Sequence, residues 1–163
     1  MAAGGVAAQP SIEGLRRIKL LQGLSDAELT RIASVCAWSR HRADPDVQII
    51  SREAGDQDVY FIVSGRVRVG VFTHDFERQI TFRDLPAGEY FGELAAIDGA
   101  PRAANISAVE ETVLARVAGR DFMRLVDEHA KVRGNLLPTP FARPLGDSID
   151  MCCFGMDRTP SVA

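Results

Sequence analysis

Apolar residues recur at two different spacings along this chain, and the change of spacing divides it. Over residues 11–35, Leu15, Ile18, Leu20, Leu21 and Leu24 lead into Ser25-Asp26-Ala27-Glu28, a helix-start signature followed by Leu29, Ile32 and Val35 at helical spacing. This region reads as helical. From Ala37 to about Val117 the period falls to two. Val47, Ile49 and Ile50 precede a turn at Glu53-Ala54-Gly55-Asp56, and the run Tyr60-Phe61-Ile62-Val63 stops at Ser64-Gly65. Val67, Val69 and Val71 then alternate with Arg66, Arg68 and Gly70; Ile80 and Phe82 alternate before Pro86-Ala87-Gly88; Ile106, Ala108, Val113, Ala115 and Val117 close the series. Short alternating runs separated by turns predict antiparallel strands in a barrel or jelly roll. Helical spacing returns after Gly119-Arg120-Asp121, with Phe122, Leu125, Val126, Val132 and Leu136-Leu137. Pro138, Pro140 and Pro144 end it, because each proline removes a backbone donor and clashes with the preceding turn. Residues 1–10, rich in Gly and Ala, are expected to be disordered, and residues 138–163 to form an irregular tail.

Composition narrows the function classes. The 163 residues are 46% hydrophobic and 25% charged, the balance of one globular domain that needs neither disulfide nor metal for its core. A net charge of −3 argues against a dedicated nucleic-acid binder, which carries a basic face. The first ten residues lack the basic start and apolar run of a signal peptide, and no stretch has the length of a membrane span. The expectation is a soluble, cytoplasmic protein with no membrane partner. Cys36, Cys152 and Cys153 show no metal-ligand spacing and read as reduced thiols. His41, His74 and His129 read as isolated surface residues, which leaves a jelly-roll metal enzyme without ligands. Ser64-Gly65 lacks the context of a nucleophile elbow, and Arg66 and Arg68 read as a solvated sheet face.

One segment interrupts the strand pattern: Phe91-Gly92-Glu93-Leu94-Ala95-Ala96-Ile97-Asp98-Gly99-Ala100-Pro101-Arg102-Ala103-Ala104. It predicts a short helical turn starting after a glycine, between two strands. Amides at such a start point outward and suit an anion, and Gly92 allows close approach to the backbone. Arg102 offers a planar fork of donors that fits a phosphate. Glu93 conflicts with a phosphate unless it takes another part of the ligand, such as sugar hydroxyls. The residues therefore point to a sugar phosphate, with the sugar on Glu93 and the phosphate on Arg102.

At these residues the chain resembles the cyclic-nucleotide-binding domain family, of the catabolite activator and protein kinase A regulatory type. The cassette from Phe91 to Ala104 is similar to that family's phosphate-binding cassette, and Gly55, Gly65 and Gly88 stand where the family places turn glycines. The resemblance covers about residues 12–137. It implies a mainly β fold with flanking helices, an eight-stranded antiparallel β-barrel of jelly-roll type, occupying residues 11–137. It further implies that Glu93 accepts from the ribose 2′-hydroxyl and that Arg102 pairs with the cyclic phosphate. Backbone amides around Gly92, Ala95 and Ala103 complete the anion cradle, with Leu94 and Ala104 in the same ligand-binding set. Ala103 stands where relatives selective for cyclic GMP carry Thr or Ser. Two positions depart from the family pattern: Val63 where kinase regulatory subunits carry an Asp that orients the Arg, and Ala96 in place of a larger aliphatic residue.

The expected function is a non-enzymatic regulatory module that senses cyclic AMP, with cyclic GMP as the alternative ligand and no cofactor. Ligand would repack the flanking helices, and a protein partner or self-association would read the change. A DNA-binding regulator of the catabolite-activator type would need a helix-turn-helix after Leu137, which the proline-bearing tail does not supply, so no specific DNA is expected. Two alternatives stay open: a degenerate family member that serves as a protein-interaction module, and a truncated piece of a larger cyclic AMP-responsive regulator.

Overall fold

Strand β4 (Val59–Ser64) is apolar without alternation because both of its faces are covered. Val59 and Phe61 point into a core shared with the helices, while Tyr60 and Ile62 point into a second core between two sheets. All four are nearly or wholly removed from solvent, and burial of side chains this size stabilises by ~1.5–3 kcal/mol each.

The computed structural model describes residues 5–50, 56–72, 79–99 and 104–136. The chain begins with β1 (Val6–Ala7), α1 (Ile12–Arg16), a 3-10 turn (Lys19–Leu21) and α2 (Asp26–Val35). Strands β2 (Ala37–His41), β3 (Asp44–Ile50), β4, β5 (Arg66–Phe72), β6 (Gln79–Pro86) and β7 (Tyr90–Phe91) follow. Helix α3 (Glu93–Asp98) separates β7 from β8 (Asn105–Ala108) and β9 (Thr112–Val117), and α4 (Gly119–Glu128) and α5 (Ala130–Leu136) complete the order. The strands form two antiparallel sheets, β1-β2-β9-β4-β7 and β3-β8-β5-β6. The expected closed barrel is thus two sheets facing each other, and the described residues hold nine strands rather than eight. The ninth is β1, inside the segment expected to be disordered. Val6 and Ala7 pair with Arg40 and Ser39 of β2, so the strand owes its existence to its partner and not to its composition.

Both expected helical regions are segmented. Residues 11–35 hold α1, the 3-10 turn and α2, with Gly23 at φ +93 in the break. Ser25 caps α2 as its sequence predicts: the Ser25 hydroxyl accepts from the Glu28 amide at 3.3 Å, and Glu28 accepts from the Ser25 amide at 2.7 Å. Val35, placed on the apolar face by spacing, is 52% exposed because α2 ends there. The second helical region breaks at His129, between α4 and α5.

The turn from β4 to β5 requires a glycine. Gly65 has φ +88, and a Cβ there would overlap the Glu111 carbonyl and lie 2.6 Å from the Thr112 Cα. Thr112, fully buried, accepts from the Arg66 amide at 3.1 Å and turns its hydroxyl toward the Glu110 and Arg66 carbonyls. On the outer face, Arg68 binds Asp84 of the next strand through Nε at 2.7 Å and Nη2 at 2.9 Å, as a solvated charge pair would. His41 departs from its surface reading. It is buried beneath the N-terminal segment, with Gly5 against its ring and Nε2 2.9 Å from the Ser39 hydroxyl, and burial lowers its pKa. His74, Cys152 and Cys153 lie outside the described residues. Cys36 is a free thiol whose pKa burial pushes up to about 12, which keeps it protonated and unreactive.

Candidate functional site

The cassette occupies the place where the chain leaves one sheet for the other. Tyr60 and Phe61 of β4 pair with Phe91 and Tyr90 of β7. Phe91 turns into the core between the sheets and stacks on Tyr60, ring centroids 5.0 Å apart and planes 6° from parallel. Tyr90 turns the other way, into the helix-side core. Gly92 follows in the left-handed region at φ +93, where a side chain would be strained, and its reversal starts α3 immediately after the strand. Gly99, again left-handed, ends α3 by donating its amide to the Ala95 carbonyl at 2.9 Å. The chain re-enters the inter-sheet core at Ala104 and Ile106, on the opposite sheet. A six-residue helix thus bridges the two sheets.

Five of the seven expected ligand residues lie within this frame. Gly92 is the N-cap, Glu93 the first helical residue, Leu94 is half-buried, Ala95 is buried, and Ala104 is buried just before β8. Arg102 and Ala103 lie outside the described residues, as does the expected turn glycine Gly55. Glu93 is only 1% exposed. A carboxylate so removed from water is costly unless it serves as an acceptor, and the helix start adds a favourable dipole. One turn along the helix from Glu93, Ala96 and Ile97 pack against the helix-side core, and α3 lies on α4.

Sequence reasoning missed two features of the site. The Tyr60–Phe91 stack is set by strand register, which no local pattern encodes. Gly99 closes α3, and the Asp98-Gly99 dipeptide was its available signal. Val63 packs against Gly14 of α1, in the helix-side core. Among the described residues, no three His, Cys, Asp or Glu side chains converge on a metal-sized site, and no helix is long and apolar enough to cross a membrane.

An antiparallel two-sheet roll with a glycine-capped helix carrying a buried carboxylate between its sheets defines a class of regulatory ligand-binding domain. The chain belongs to the cyclic nucleotide-binding domain family, whose model matches residues 41–129. It is 35% identical over 128 residues to a cyclic nucleotide-gated potassium channel of Rhizobium etli, a match spanning 77% of this chain and 33% of the channel. It is 28% identical over 131 residues to a cAMP-dependent protein kinase regulatory subunit of Candida albicans, covering 80% of this chain and 27% of the subunit. The catabolite activator protein of Thermus thermophilus superposes with a TM-score of 0.60 at 27% identity, over 72% of this chain and 54% of that one. The chain thus spans about a third or less of the two curated relatives.

Proposed function

We propose that this domain is a cyclic AMP sensor that acts without catalysis, by passing the state of its cassette to its helices. The observation that carries the reading is Glu93, a buried carboxylate at the start of a glycine-capped helix that spans two sheets and rests on α4. In this reading Glu93 accepts from the ribose 2′-hydroxyl and Arg102 pairs with the cyclic phosphate. The amides of Gly92, Ala95 and Ala103 complete the anion cradle, with Leu94 and Ala104 lining it. Binding draws α3 inward and α4–α5 repack against it, a shift in population between two arrangements. A protein partner or a second copy of the chain reads that shift in the cytoplasm; specific DNA has no part in it, in keeping with the net charge of −3.

Sugar and phosphate are common to both cyclic nucleotides, so selectivity rests on the base. Guanine carries an amino group that needs an acceptor, and Ala103 provides none from its side chain. Leaving that group unpaired costs ~1–3 kcal/mol, which favours cyclic AMP. Titration calorimetry tests the reading. Cyclic AMP is expected to bind with micromolar affinity, about −8 kcal/mol. Ala103→Thr is expected to improve cyclic GMP binding and leave cyclic AMP binding nearly unchanged. Absence of heat with millimolar cyclic AMP, or an Ala103→Thr gain for cyclic GMP below ~0.3 kcal/mol, overturns the corresponding assignment.

A further inference from the structure

The first strand of the chain covers a histidine. β1 lies along the edge of β2, with Val6 opposite Arg40 and Ala7 opposite Ser39, and the Ala8 amide donates to the Trp38 carbonyl at 3.1 Å. Just before β1, Gly5 sits on the distal edge of the His41 ring: a Cβ there would lie 2.7 Å from Cε1 and 2.8 Å from Nε2. We propose that residues 5–8 form a strap that His41 holds shut while its ring is neutral and releases when the ring takes up a proton. Neither state depends on what the cassette binds.

Little apolar burial holds the strap. Val6 is 72% exposed and Ala7 is exposed as well, so neither side chain takes much surface from water. Ala8, half-buried, packs against the helix-side core. A segment held mainly by a few backbone bonds opens far more readily than the sheet beneath it. The fit at Gly5 is the exception. Gly5 is not among the glycines with positive φ, so its backbone asks for no glycine; the ring beneath it does, because any side chain would overlap the imidazole.

The surroundings of His41 favour its neutral form. The residue is 8% exposed, and its Nε2 lies 2.9 Å from the Ser39 hydroxyl. A hydroxyl donates to a neutral ring nitrogen or accepts from a protonated one, so Ser39 serves either state. Burial decides between them and holds the ring's pKa below its ordinary value. Residues 5–8 carry no charged side chain. Arg40 and Arg42, which flank His41, are exposed cations and give a second positive charge no support. Across the ladder His41 faces Thr112 of β9, and Glu110 and Glu111 before it are exposed. Asp44 of β3 accepts from the Asp46 amide at 3.0 Å. None of these carboxylates offsets the burial of the ring. Linkage fixes the direction. With the strap open the ring stands in water at its ordinary pKa, about 6.5, so the open state takes up protons first as pH falls. The strap is shut above that value, and each pH unit below it favours opening by up to about tenfold until the lowered pKa is reached. Opening makes β2 the edge of its sheet and frees the Trp38 carbonyl.

Amide hydrogen exchange on the whole chain, followed by NMR, reads the strap at Ala8 and the sheet at Ile62, whose amide donates to the Glu89 carbonyl at 2.9 Å. Protection at Ala8, taken relative to free-peptide exchange at each pH, is expected to fall at least about threefold between about pH 7.5 and about pH 5. It is also expected to lie well below protection at Ile62 throughout. His41→Gln is expected to remove the pH dependence at Ala8. Gly5→Ala places a Cβ on the ring; it is expected to abolish protection at Ala8 at both pH values and to return the His41 ring to ordinary imidazole titration, near about pH 6.5. A pH dependence that survives His41→Gln belongs to another group and overturns the lock. So does a ring that titrates alike in Gly5→Ala and the wild type, because the strap then does not bury it. Equal protection at Ala8 and Ile62 overturns the strap itself, since residues 5–8 would then open only with the whole sheet.

Discussion

Glu93 shows how far one residue can be argued from environment. A buried carboxylate adds nothing to a core except as an acceptor, and its place beside Gly92 puts that acceptor where backbone amides can hold an anion. Glu93→Ala is expected to weaken cyclic AMP binding, and 2′-deoxy cyclic AMP is expected to lose little further affinity in that variant. A full additional penalty for the deoxy ligand, measured by calorimetry, removes the ribose from Glu93. Gly65 is constrained by sterics alone. Gly65→Ala adds a Cβ onto the Glu111 carbonyl at positive φ, and the expected cost exceeds ~2 kcal/mol in urea unfolding. The place of both residues could be read from sequence because residue type carries the information: only glycine takes a turn such as that at Gly65, and the glycine before Glu93 marks the start of a short helix after a strand. The burial of His41 could not be read in this way. It depends on Gly5 packing over the ring, a contact between residues far apart in kind and joined only by strand pairing.

Elements follow local chemistry at their starts more closely than at their breaks. The reciprocal Ser25–Glu28 bonds make the start of α2 self-contained, and Ser25→Ala is expected to destabilise the protein by ~0.5–2 kcal/mol in the same urea assay. A loss near zero would mean that packing of Leu29 and Ile32 alone holds the helix start in place. The Ser25 start signature already marked a new helix after Gly23, whereas the break at His129 carries no such signal, because apolar spacing continues across it. Leu21 and Leu29 lie in one core on either side of the first break, as do Val126 and Val132 across the second. Periodicity reports which residues reach a core, and it does not report whether one helix or two bring them there. The two residues of β1 were equally hidden, since their only distinguishing property is the edge of β2 that they cover.

At the scale of the whole molecule, alternation in sequence implied sheets but left their closure open. Two sheets with separate edges satisfy the same period as a barrel, and the choice lies in pairings between distant strands. The arrangement places one hydrophobic core between the sheets and another between sheet and helices, with β4 as their common wall. A shared wall leaves neither core able to melt alone, because freeing β4 on one side strips it on the other. Heat should therefore unfold the molecule in a single cooperative step. Trp38 emission, which reads the helix-side core, and far-ultraviolet circular dichroism, which reads the sheets, are expected to give coincident midpoints. Midpoints separated by more than ~5 °C would mean that the two cores are independent, since shifts of that size correspond to about 1–2 kcal/mol in a domain of this length. The same wall has a consequence for signalling: a ligand held at the cassette would protect both cores together, raising the two midpoints in step as its concentration rises above Kd.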